Sequence, residues 1–266
     1  MTFPGATAAP DAADYAIVGA PLDATTSFQP GTRFGPRRVR TYAEPFEDYD
    51  ARSDVCFSEC GVSDDGDVGP GADVPEYLTY LAGHLGDHAD AGRTPLVVGG
   101  EHTVTVAAVR ALDPDVYVTL DAHLDLRATY AGTEWSHATV TRHALEVADR
   151  AVILGARSGS EAEYERAGAD DVTLVPPDEV ADWEPALDGT HYLSVDVDAA
   201  DPGYAPGTGT MEPFGLDPAT MHEVVRDLAP GAVGFDVVEV NDRDDGQAAA
   251  LAAKLLRAFV YARAGE

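Results

Sequence analysis

Short apolar runs alternate with single amphipathic stretches along most of the chain, and this order strongly constrains the fold. The runs lie at residues 15–18, 96–98, 116–120, 151–154, 172–175, 192–195 and 233–240. Patterns typical of helices lie between them, at 74–91, 103–112, 136–149 and 160–167, from 217 onward, and at 247–263. Strands that alternate with single helices predict an α/β fold with a mostly parallel, helix-covered sheet. No repeat or linker interrupts the alternation, so we expect a single domain over residues 1–266 with a flexible N-terminus at 1–14.

Two acidic motifs directly follow two of the predicted strands. Asp121, His123 and Asp125 follow one strand, and Asp196 and Asp198 follow the other. Side chains alternate between the two faces of an extended chain, so the members of each motif point the same way. Four carboxylates that converge in one pocket would repel one another unless cations neutralised them. An imidazole among several carboxylates suits a hard divalent metal such as Mn²⁺.

Two further predicted strands bring ionisable groups to the same edge of the sheet. Glu101 and His102 follow the run at 96–98, and Glu239 lies at the end of the run that begins at 233. In open parallel sheets, ligands bind beyond the carboxyl ends of the strands. A single acid or imidazole in such a place is usually a helix cap or a turn residue. Four coincident cases instead predict a functional site.

The charge balance limits the possible partners. The chain has 47 acidic against 17 basic residues, a net charge of −30, and Lys254 is its one lysine. Such a surface repels nucleic acid and anionic membranes, so we expect neither as a partner. The composition resembles that of proteins from extreme halophiles, in which salt screens the repulsion; the Debye length falls to about 3 Å at 1 M salt.

The lack of a recognisable targeting signal and the small number of cysteines predict a cytoplasmic protein. The N-terminal residues have neither a basic start nor an apolar core typical of a signal peptide, and no run reaches the length of a membrane span. Cys56 and Cys60 are too few for a disulfide framework and lack a second thiol pair for a zinc site. We therefore expect structural or tolerated thiols in a reducing compartment.

Five ordered motifs resemble those of the agmatinase/arginase family of ureohydrolases. They are Gly-Gly-Glu-His at 99–102, Asp-Ala-His-Leu-Asp at 121–125, Ser-His-Ala-Thr at 136–139, Ser-Val-Asp-Val-Asp-Ala-Ala-Asp-Pro at 194–202 and Asp-Val-Val-Glu-Val-Asn at 236–241. The segments 24–28, 30–36 and 206–210 resemble the agmatinase branch in particular. The resemblance implies a three-layer α/β/α fold of the arginase and deacetylase kind. It also implies two Mn²⁺ per chain, hydrolysis of a guanidino group to urea and an amine, and a homo-oligomer, either a trimer or a hexamer.

The same resemblance implies six metal ligands, of which Asp121 and Asp196 would bridge the two ions. One ion would be held by His102, Asp121, Asp125 and Asp196, and the other by His123, Asp121, Asp196 and Asp198. Two divalent ions about 3.5–4 Å apart can activate a shared water at neutral pH. Guanidinium carbon needs such a nucleophile because resonance makes it a poor electrophile.

Three residues would act on the substrate or the nucleophile. Asp125 would orient the nucleophile as well as bind metal. Glu239 would receive the guanidinium group, since a planar cation and a carboxylate match in bidentate geometry. His137 would pass a proton to the leaving amine, because an imidazole titrates near neutral pH.

Departures from the family pattern leave the substrate tail open. Ala138 and Phe214 stand where agmatinases commonly have glycine, and Arg127 could pair with a substrate carboxylate. Agmatine, converted to putrescine, or a larger substrate with the same guanidinobutyl group is the favoured substrate. The same metal centre could instead act on a guanidino acid, a formimino compound or an acetylated amine. A non-catalytic, metal-stabilised binding protein is the remote alternative.

Other polar residues have simpler interpretations. His84 and His88 are four residues apart on a predicted helix, but the sequence places no third ligand near them, so a solvated face is favoured. His143 and His222 are expected on the surface. The acidic segment 64–67 is expected to form a solvated turn.

The charge predicts that folding depends on salt. The melting temperature should rise steeply between dilute buffer and molar KCl, because screening weakens repulsion among carboxylates. Thermal unfolding followed by circular dichroism at increasing KCl measures this. A melting temperature that does not change with salt would contradict the halophilic interpretation without affecting the prediction of a metal site.

Overall fold

The structure, a computed structural model, describes residues 1–71 and 73–265. Its strands are β1 (Tyr15–Ala20), β2 (Tyr49–Asp50), β3 (Val55–Cys56), β4 (Val62–Asp67), β5 (Thr94–Gly99), β6 (Val116–Leu120), β7 (Arg150–Leu154), β8 (Val172–Val175), β9 (His191–Asp196) and β10 (Ala232–Val238). Its α-helices are α1 (Gly35–Ala43), α2 (Val74–Asp90), α3 (Thr105–Leu112), α4 (Val140–Ala144), α5 (Glu161–Ala167), α6 (Pro218–Leu228) and α7 (Gln247–Ala264).

One eight-stranded sheet forms the middle layer. Its strand order is β4-β1-β5-β10-β9-β6-β7-β8, and all neighbouring strands are parallel. Alternate side chains enter the cores on opposite faces of the sheet. Ile17 belongs to the core that includes residues of α1, α6 and α7, whereas Val18 belongs to the core that includes residues of α2, α3 and α4. Both faces are covered, so the central strands are almost continuously apolar. The predicted three-layer α/β/α fold is confirmed.

All seven predicted strands form; the strands at 116–120 and 172–175 keep their predicted ends, and the other five have shifted ends. β10 ends at Val238, two residues before the predicted end, because Glu239 turns the chain with a left-handed φ of 62°. The predicted helix at 136–149 is reduced to a 3₁₀ turn at His137–Thr139 followed by the short α4. The helix α1 and the strand β4 were not predicted, because both segments are rich in charged residues.

A buried ion pair explains the polar sequence of β4. Arg40 of α1 is 2% exposed and donates from Nε and Nη2 to the two carboxylate oxygens of Asp64, each at 2.8 Å. Asp67 accepts from the same guanidinium. The segment expected to be a solvated turn is therefore an edge strand. Because strand side chains alternate, Asp64 faces α1 while Asp65 faces α2.

The N-terminal residues and the thiols are packed locally. Phe3 departs from the predicted flexibility, because its side chain is buried against Phe57 and its backbone N–H donates to Asp64. Cys56 and Cys60 are free thiols, and Cys60 is buried. Within the described ranges, no helix is both long and apolar enough to span a membrane.

Candidate metal centre and active site

The candidate site lies at the carboxyl ends of four strands that are neighbours in the sheet, β5, β10, β9 and β6. The register pairs Val238 with Asp196 and Leu120 with Val195. Asp121 therefore leaves the sheet at the level of Asp196, and Glu239 leaves it one residue further on. The sequence predicted that four strand ends share one edge, and the topology places them side by side.

His102 is the centre of a first group of ligand atoms. Its Nδ1 lies 3.2 Å from Oδ2 of Asp121, 3.1 Å from Oδ2 of Asp125 and 3.5 Å from Oδ2 of Asp196. All four side chains are buried. Nδ1 of His102 and Oδ2 of Asp121 have no hydrogen-bond partner among the described residues. A shared cation would satisfy both atoms, so this group fits a metal ion.

His123 forms a second, adjacent group. Its Nδ1 lies 3.0 Å from Oδ2 of Asp198 and 3.6 Å from Oδ1 of Asp121. Asp121 thus turns one carboxylate oxygen toward each histidine and belongs to both groups. The structure brings together the six residues predicted as ligands. The bridging role predicted for Asp196 stays a prediction. Of the two histidines, Asp196 contacts His102 and not His123 in the geometry described.

Backbone hydrogen bonds orient these carboxylates. Oδ1 of Asp121 accepts from the N–H of His123 at 2.7 Å, and Oδ1 of Asp196 accepts from the N–H of Asp198 at 2.8 Å. Oδ1 of Asp198 accepts from the N–H of Ala122 at 3.1 Å. The Oδ2 atoms of all three acids are left to face the imidazoles. The spacings Asp-X-His and Asp-X-Asp therefore fix the carboxylates of Asp121 and Asp196 through local bonds, whereas Asp198 is oriented by the backbone of the neighbouring strand end.

A buried relay sets the tautomer of His102. Its Nε2 lies 3.1 Å from Oγ of Ser194, which donates its own proton to Asp236 at 2.6 Å. The serine oxygen is thus available to accept from Nε2–H, an arrangement that leaves the lone pair on Nδ1, where the carboxylates converge. The hydroxyl of Tyr117 also lies 3.2 Å from Nε2. Tyr192 and Thr105 also donate to Asp236. Partners of this kind fix the orientation of metal-bound histidines.

The sequence analysis missed Ser194 and Asp236 as site residues, although both lie in motifs that it identified. The available signal was a polar residue inside an otherwise apolar strand. Each is completely buried in a central strand, where an apolar side chain is the usual choice.

Burial among like charges shifts the pKa values of the acids. Burial, reinforced by Asp121, raises the pKa of Asp125 to about 7. Burial and the neighbouring acids raise the pKa of Glu239 to about 8 and that of Asp196 well above its usual value. A divalent cation would favour the charged forms of these groups. The electrostatics therefore agree with the donor set.

Glu239 lies beside the first group with one oxygen already in use. Its Oε1 accepts from the backbone N–H of His102 at 2.8 Å. A Cβ built on Gly209 would lie 3.6 Å from Oε2, so that oxygen faces a position without a side chain. Glu239, like Asp125, has a positive φ, a strained conformation for a non-glycine residue that often occurs at functional sites.

Glu101 holds the loop that contacts His137. Its carboxylate accepts from the backbone N–H groups of Thr25 and Thr26 at 2.7 and 3.0 Å. In the same loop, Oγ of Ser27 lies 3.1 Å from Nε2 of His137. Gly100 is required before Glu101, because a Cβ there would lie 1.9 Å from a backbone oxygen. Burial lowers the pKa of His137, which favours the neutral imidazole at neutral pH.

A cleft extends outward from the candidate metal centre. A small pocket of about 20 Å³ is lined by predicted ligand side chains. It adjoins a cleft of about 290 Å³, and residues that include Ser27 and His137 line both. In this cleft, Arg127 is paired with Glu163 at 3.2 Å. Glu212 also lines it, with Oε1 3.8 Å from Nε2 of His123.

The two departures from the family pattern lie in different places. Ala138 is buried beside the cleft. Phe214 is 88% exposed, has a φ of 69°, and lines a separate groove with Arg157. Phe214 is therefore not among the residues that line the cleft beside the metal centre.

Arg157 is a positioning residue that the sequence analysis missed. Its guanidinium donates to the carbonyl oxygens of Asp198 and Glu212 at 2.8 and 2.6 Å. It thereby joins the segment that carries a predicted ligand to the segment that lines the cleft. No local pattern marked it, because its partners are backbone carbonyls from distant parts of the chain.

The remaining histidines divide between the interior and the exterior. The prediction that His143 lies on the surface is wrong: it is buried, stacks on Trp135 and hydrogen bonds through Nε2 to the carbonyl of Glu134. His222 is partly exposed beside Glu223. Asp65 lies close to His84 and His88, so the expectation that no third ligand lies near these two histidines is also wrong.

Comparisons with known proteins agree with this arrangement. The sequence model of the arginase family matches residues 13–261. An agmatinase of Pyrococcus horikoshii is 35% identical over 92% of this chain and 90% of its own. An N(1)-aminopropylagmatine ureohydrolase of Thermococcus kodakarensis is 35% identical over 93% and 90%. The crystal structure of an agmatine ureohydrolase of Thermoplasma volcanium is similar with a TM-score of 0.94 and 33% identity, covering 99% of this chain and 94% of the other.

The relay predicts that Ser194→Ala weakens metal binding by about 10- to 100-fold, the usual effect of losing a partner behind a metal-bound histidine. The reason is that Nε2 of His102 would lose an acceptor that fixes its tautomer. Titration of metal-free protein with Mn²⁺, followed by the electron paramagnetic resonance signal of free Mn²⁺, measures the affinity.

Ser63→Ala is the matched control. Ser63 is also a buried strand serine, and its hydroxyl donates to the carbonyl of Tyr15. This variant should bind Mn²⁺ as the original protein does. Equal affinities for both variants would contradict the relay.

Proposed function

The chain belongs to the arginase family, and from this membership we propose that it is a binuclear-manganese amidinohydrolase that releases urea from a guanidino substrate. The favoured substrate is agmatine, which yields putrescine, or a larger molecule with the same guanidinobutyl group. The observation that carries the proposal is the pair of histidine-carboxylate groups that share Asp121. Oxygen-rich sets of this kind, with one imidazole each, suit Mn²⁺.

The proposed ligands keep the division given by the family resemblance. His102, Asp121, Asp125 and Asp196 would hold one ion, and His123, Asp121, Asp196 and Asp198 the other. When bound, two such ions supply a nucleophile at neutral pH by lowering the pKa of water.

Glu239 is proposed to bind and orient the guanidinium group. Its Oε2 faces the position that Gly209 leaves open, while Oε1 keeps its bond from the N–H of His102. Each carboxylate oxygen has two acceptor sites, so Oε1 can accept from the substrate as well. A cation at this position favours the charged carboxylate, whose pKa burial otherwise raises to about 8. The carboxylate would thus place the guanidinium carbon over the metal centre.

His137 is proposed to transfer the proton that the leaving amine needs. Its lowered pKa leaves the ring neutral at neutral pH, with one nitrogen free to accept. It would take up a proton released as water adds to the guanidinium carbon and deliver it to the amine nitrogen as the carbon–nitrogen bond breaks. Ser27, 3.1 Å from Nε2, would orient the ring.

The cleft favours a substrate tail with an amine over one with a carboxylate. Arg127, the candidate partner for a guanidino acid, is already paired with Glu163. Glu212 lies on the same wall. An ammonium group would therefore meet net negative charge there, whereas a carboxylate would be repelled. Binding of a cationic tail also agrees with the net charge of −30.

Several finer features stay predictions alongside the activity. They are the identity of the metal, a cytoplasmic location, adaptation to high salt and assembly into a trimer or hexamer.

A substrate panel tests the proposal. With Mn²⁺ in molar KCl, agmatine or N(1)-aminopropylagmatine should release urea at least about tenfold faster, in kcat/KM, than arginine or 4-guanidinobutyrate. The reason is the charge of the cleft, and urea is measured directly. Asp121→Asn, which disrupts both ligand groups, is the control and should release almost none. Preferential hydrolysis of 4-guanidinobutyrate would support the guanidino-acid alternative, and no urea from any compound would contradict the proposal.

Glu239→Gln and His137→Asn separate binding from proton transfer. Glutamine keeps an oxygen for the N–H of His102 but loses the negative charge, so KM should rise and kcat/KM should fall. Asparagine at 137 lacks a titratable nitrogen, so kcat should fall by roughly 10²–10⁴-fold. Steady-state kinetics on the best substrate and elemental analysis check both variants. Manganese content should be unchanged, and a His137→Asn protein that loses a metal while its remaining activity is normal would disprove the role of His137.

A further inference from the structure

A second cluster of metal-binding side chains lies at the edge of the sheet. Asp65 belongs to β4, the terminal strand, while His84 and His88 lie in the second half of α2. Residues four apart on a helix are neighbours on its surface, and the two rings meet edge to face with centroids 5.0 Å apart. The proposed catalytic ligands, in contrast, follow strands in the middle of the sheet.

The three ligand atoms have the separations of a shared coordination sphere. Oδ2 of Asp65 lies 3.0 Å from Nε2 of His88 and 3.7 Å from Nε2 of His84. The three atoms all lie within 4.8 Å of one another. Tetrahedral zinc, with bonds of 2.0–2.2 Å, separates its ligand atoms by about 3.4 Å. The observed distances bracket that value.

Both imidazoles direct buried nitrogens at this point without a hydrogen bond. Nε2 of His84 and Nε2 of His88 have no partner within the described ranges, although the carboxylate oxygen is near. The ring of His88 is only 4% exposed. A buried polar atom without a partner is costly. A cation at this point would balance the negative charge of Asp65 and would take up a lone pair from Nε2 of each ring, in the tautomer that carries its proton on Nδ1.

We propose that Asp65, His84 and His88 bind a zinc-type divalent cation at a site separate from the catalytic centre. Two imidazoles and one carboxylate form a nitrogen-rich set that zinc uses, with water in the fourth position. The catalytic groups have one imidazole each among several carboxylates and suit a harder ion. The cation would join α2 to β4, an edge strand paired on one side with β1.

Arg93 opposes binding in the geometry described. Its Nε donates to Nδ1 of His88 at 3.0 Å, which places the proton of the neutral ring on Nε2. To bind the cation through Nε2, the ring must carry its proton on Nδ1, and Arg93 must turn away. Burial lowers the pKa of His88, which favours the neutral ring, so no proton has to leave the imidazole for these two changes to occur. Arg93 therefore reduces affinity without blocking the site.

Zinc uptake by the manganese-loaded protein tests the site. After incubation with excess Zn²⁺ and gel filtration, elemental analysis should find one more zinc per chain in the original protein than in His84→Ala. Manganese should be equal in the two. Because a ligand that binds the folded state stabilises it, Zn²⁺ should also raise the melting temperature of the original protein by about 5 °C, and not that of His84→Ala.

Three further variants make the test specific. Asp65→Asn, at a partly exposed position, should lose the same zinc and the same thermal shift. His222→Ala removes a histidine from α6 and should behave as the original protein does. Arg93→Ala should bind zinc at least as tightly as the original protein, because Nδ1 of His88 is freed. Equal zinc content and equal thermal shifts in the original protein and His84→Ala would overturn the proposal, since the zinc would then be bound elsewhere.

Discussion

Like charges buried at one edge of the sheet are the constraint on which the rest of the structure depends. In the parallel order β5-β10-β9-β6, the strands β6 and β9 are neighbours. Their carboxyl ends therefore bring Asp121, Asp125, Asp196 and Asp198 to one place, where water is largely excluded. Buried carboxylates can persist there only by holding protons, by hydrogen bonding or by pairing with cations. Burial and the repulsion between neighbouring carboxylates raise the pKa values of Asp125 and Asp196. A bound metal would relieve this conflict between like charges, so cation binding and the local fold would support each other.

The backbone prevents the acids from escaping the conflict by rotating away. Each of three aspartates uses one oxygen to accept a nearby backbone N–H, which commits the other oxygen to the site. The ring of His102 is held in a similar way, since Nε2 lies beside the hydroxyl groups of Ser194 and Tyr117, and Ser194 in turn donates to Asp236. The positive φ of Glu239 turns the chain out of β10 and brings its carboxylate against the backbone of His102. Orientation is therefore set before any metal or substrate binds, which reduces the reorganisation that binding requires.

The sequence predicted the features that repeat locally and missed those that depend on distant partners. Strand alternation and acids after apolar runs predicted the sheet and the edge at which the ionisable groups meet, and the family resemblance supplied the six proposed ligands. The strand β4 was read as a turn because its charges are explained only by Arg40 on α1. Arg157 and the relay behind His102 were invisible for the same reason, since their partners are far away in sequence. The cleft is a similar case: Arg127 suggested a bound carboxylate until the structure placed Glu163 beside it.

Two adjacent aspartates in β4 show how one local rule separates two kinds of site. Asp64 and Asp65 point to opposite faces because strand side chains alternate. Asp64 meets a guanidinium that satisfies both of its oxygens, so the pair is complete without any ligand. Asp65 meets two imidazoles whose facing nitrogens lack hydrogen bonds among the described residues. Arginine carries a permanent positive charge, whereas a neutral imidazole is uncharged and offers one N–H donor and one lone pair. Either a proton or a metal ion can lie between an imidazole nitrogen and a carboxylate. The lack of a hydrogen bond at either Nε2 among the described residues is the observation from which we propose the metal ion. Asp64 thus forms a structural ion pair because it faces α1, and Asp65 contributes to the proposed cation site because it faces α2.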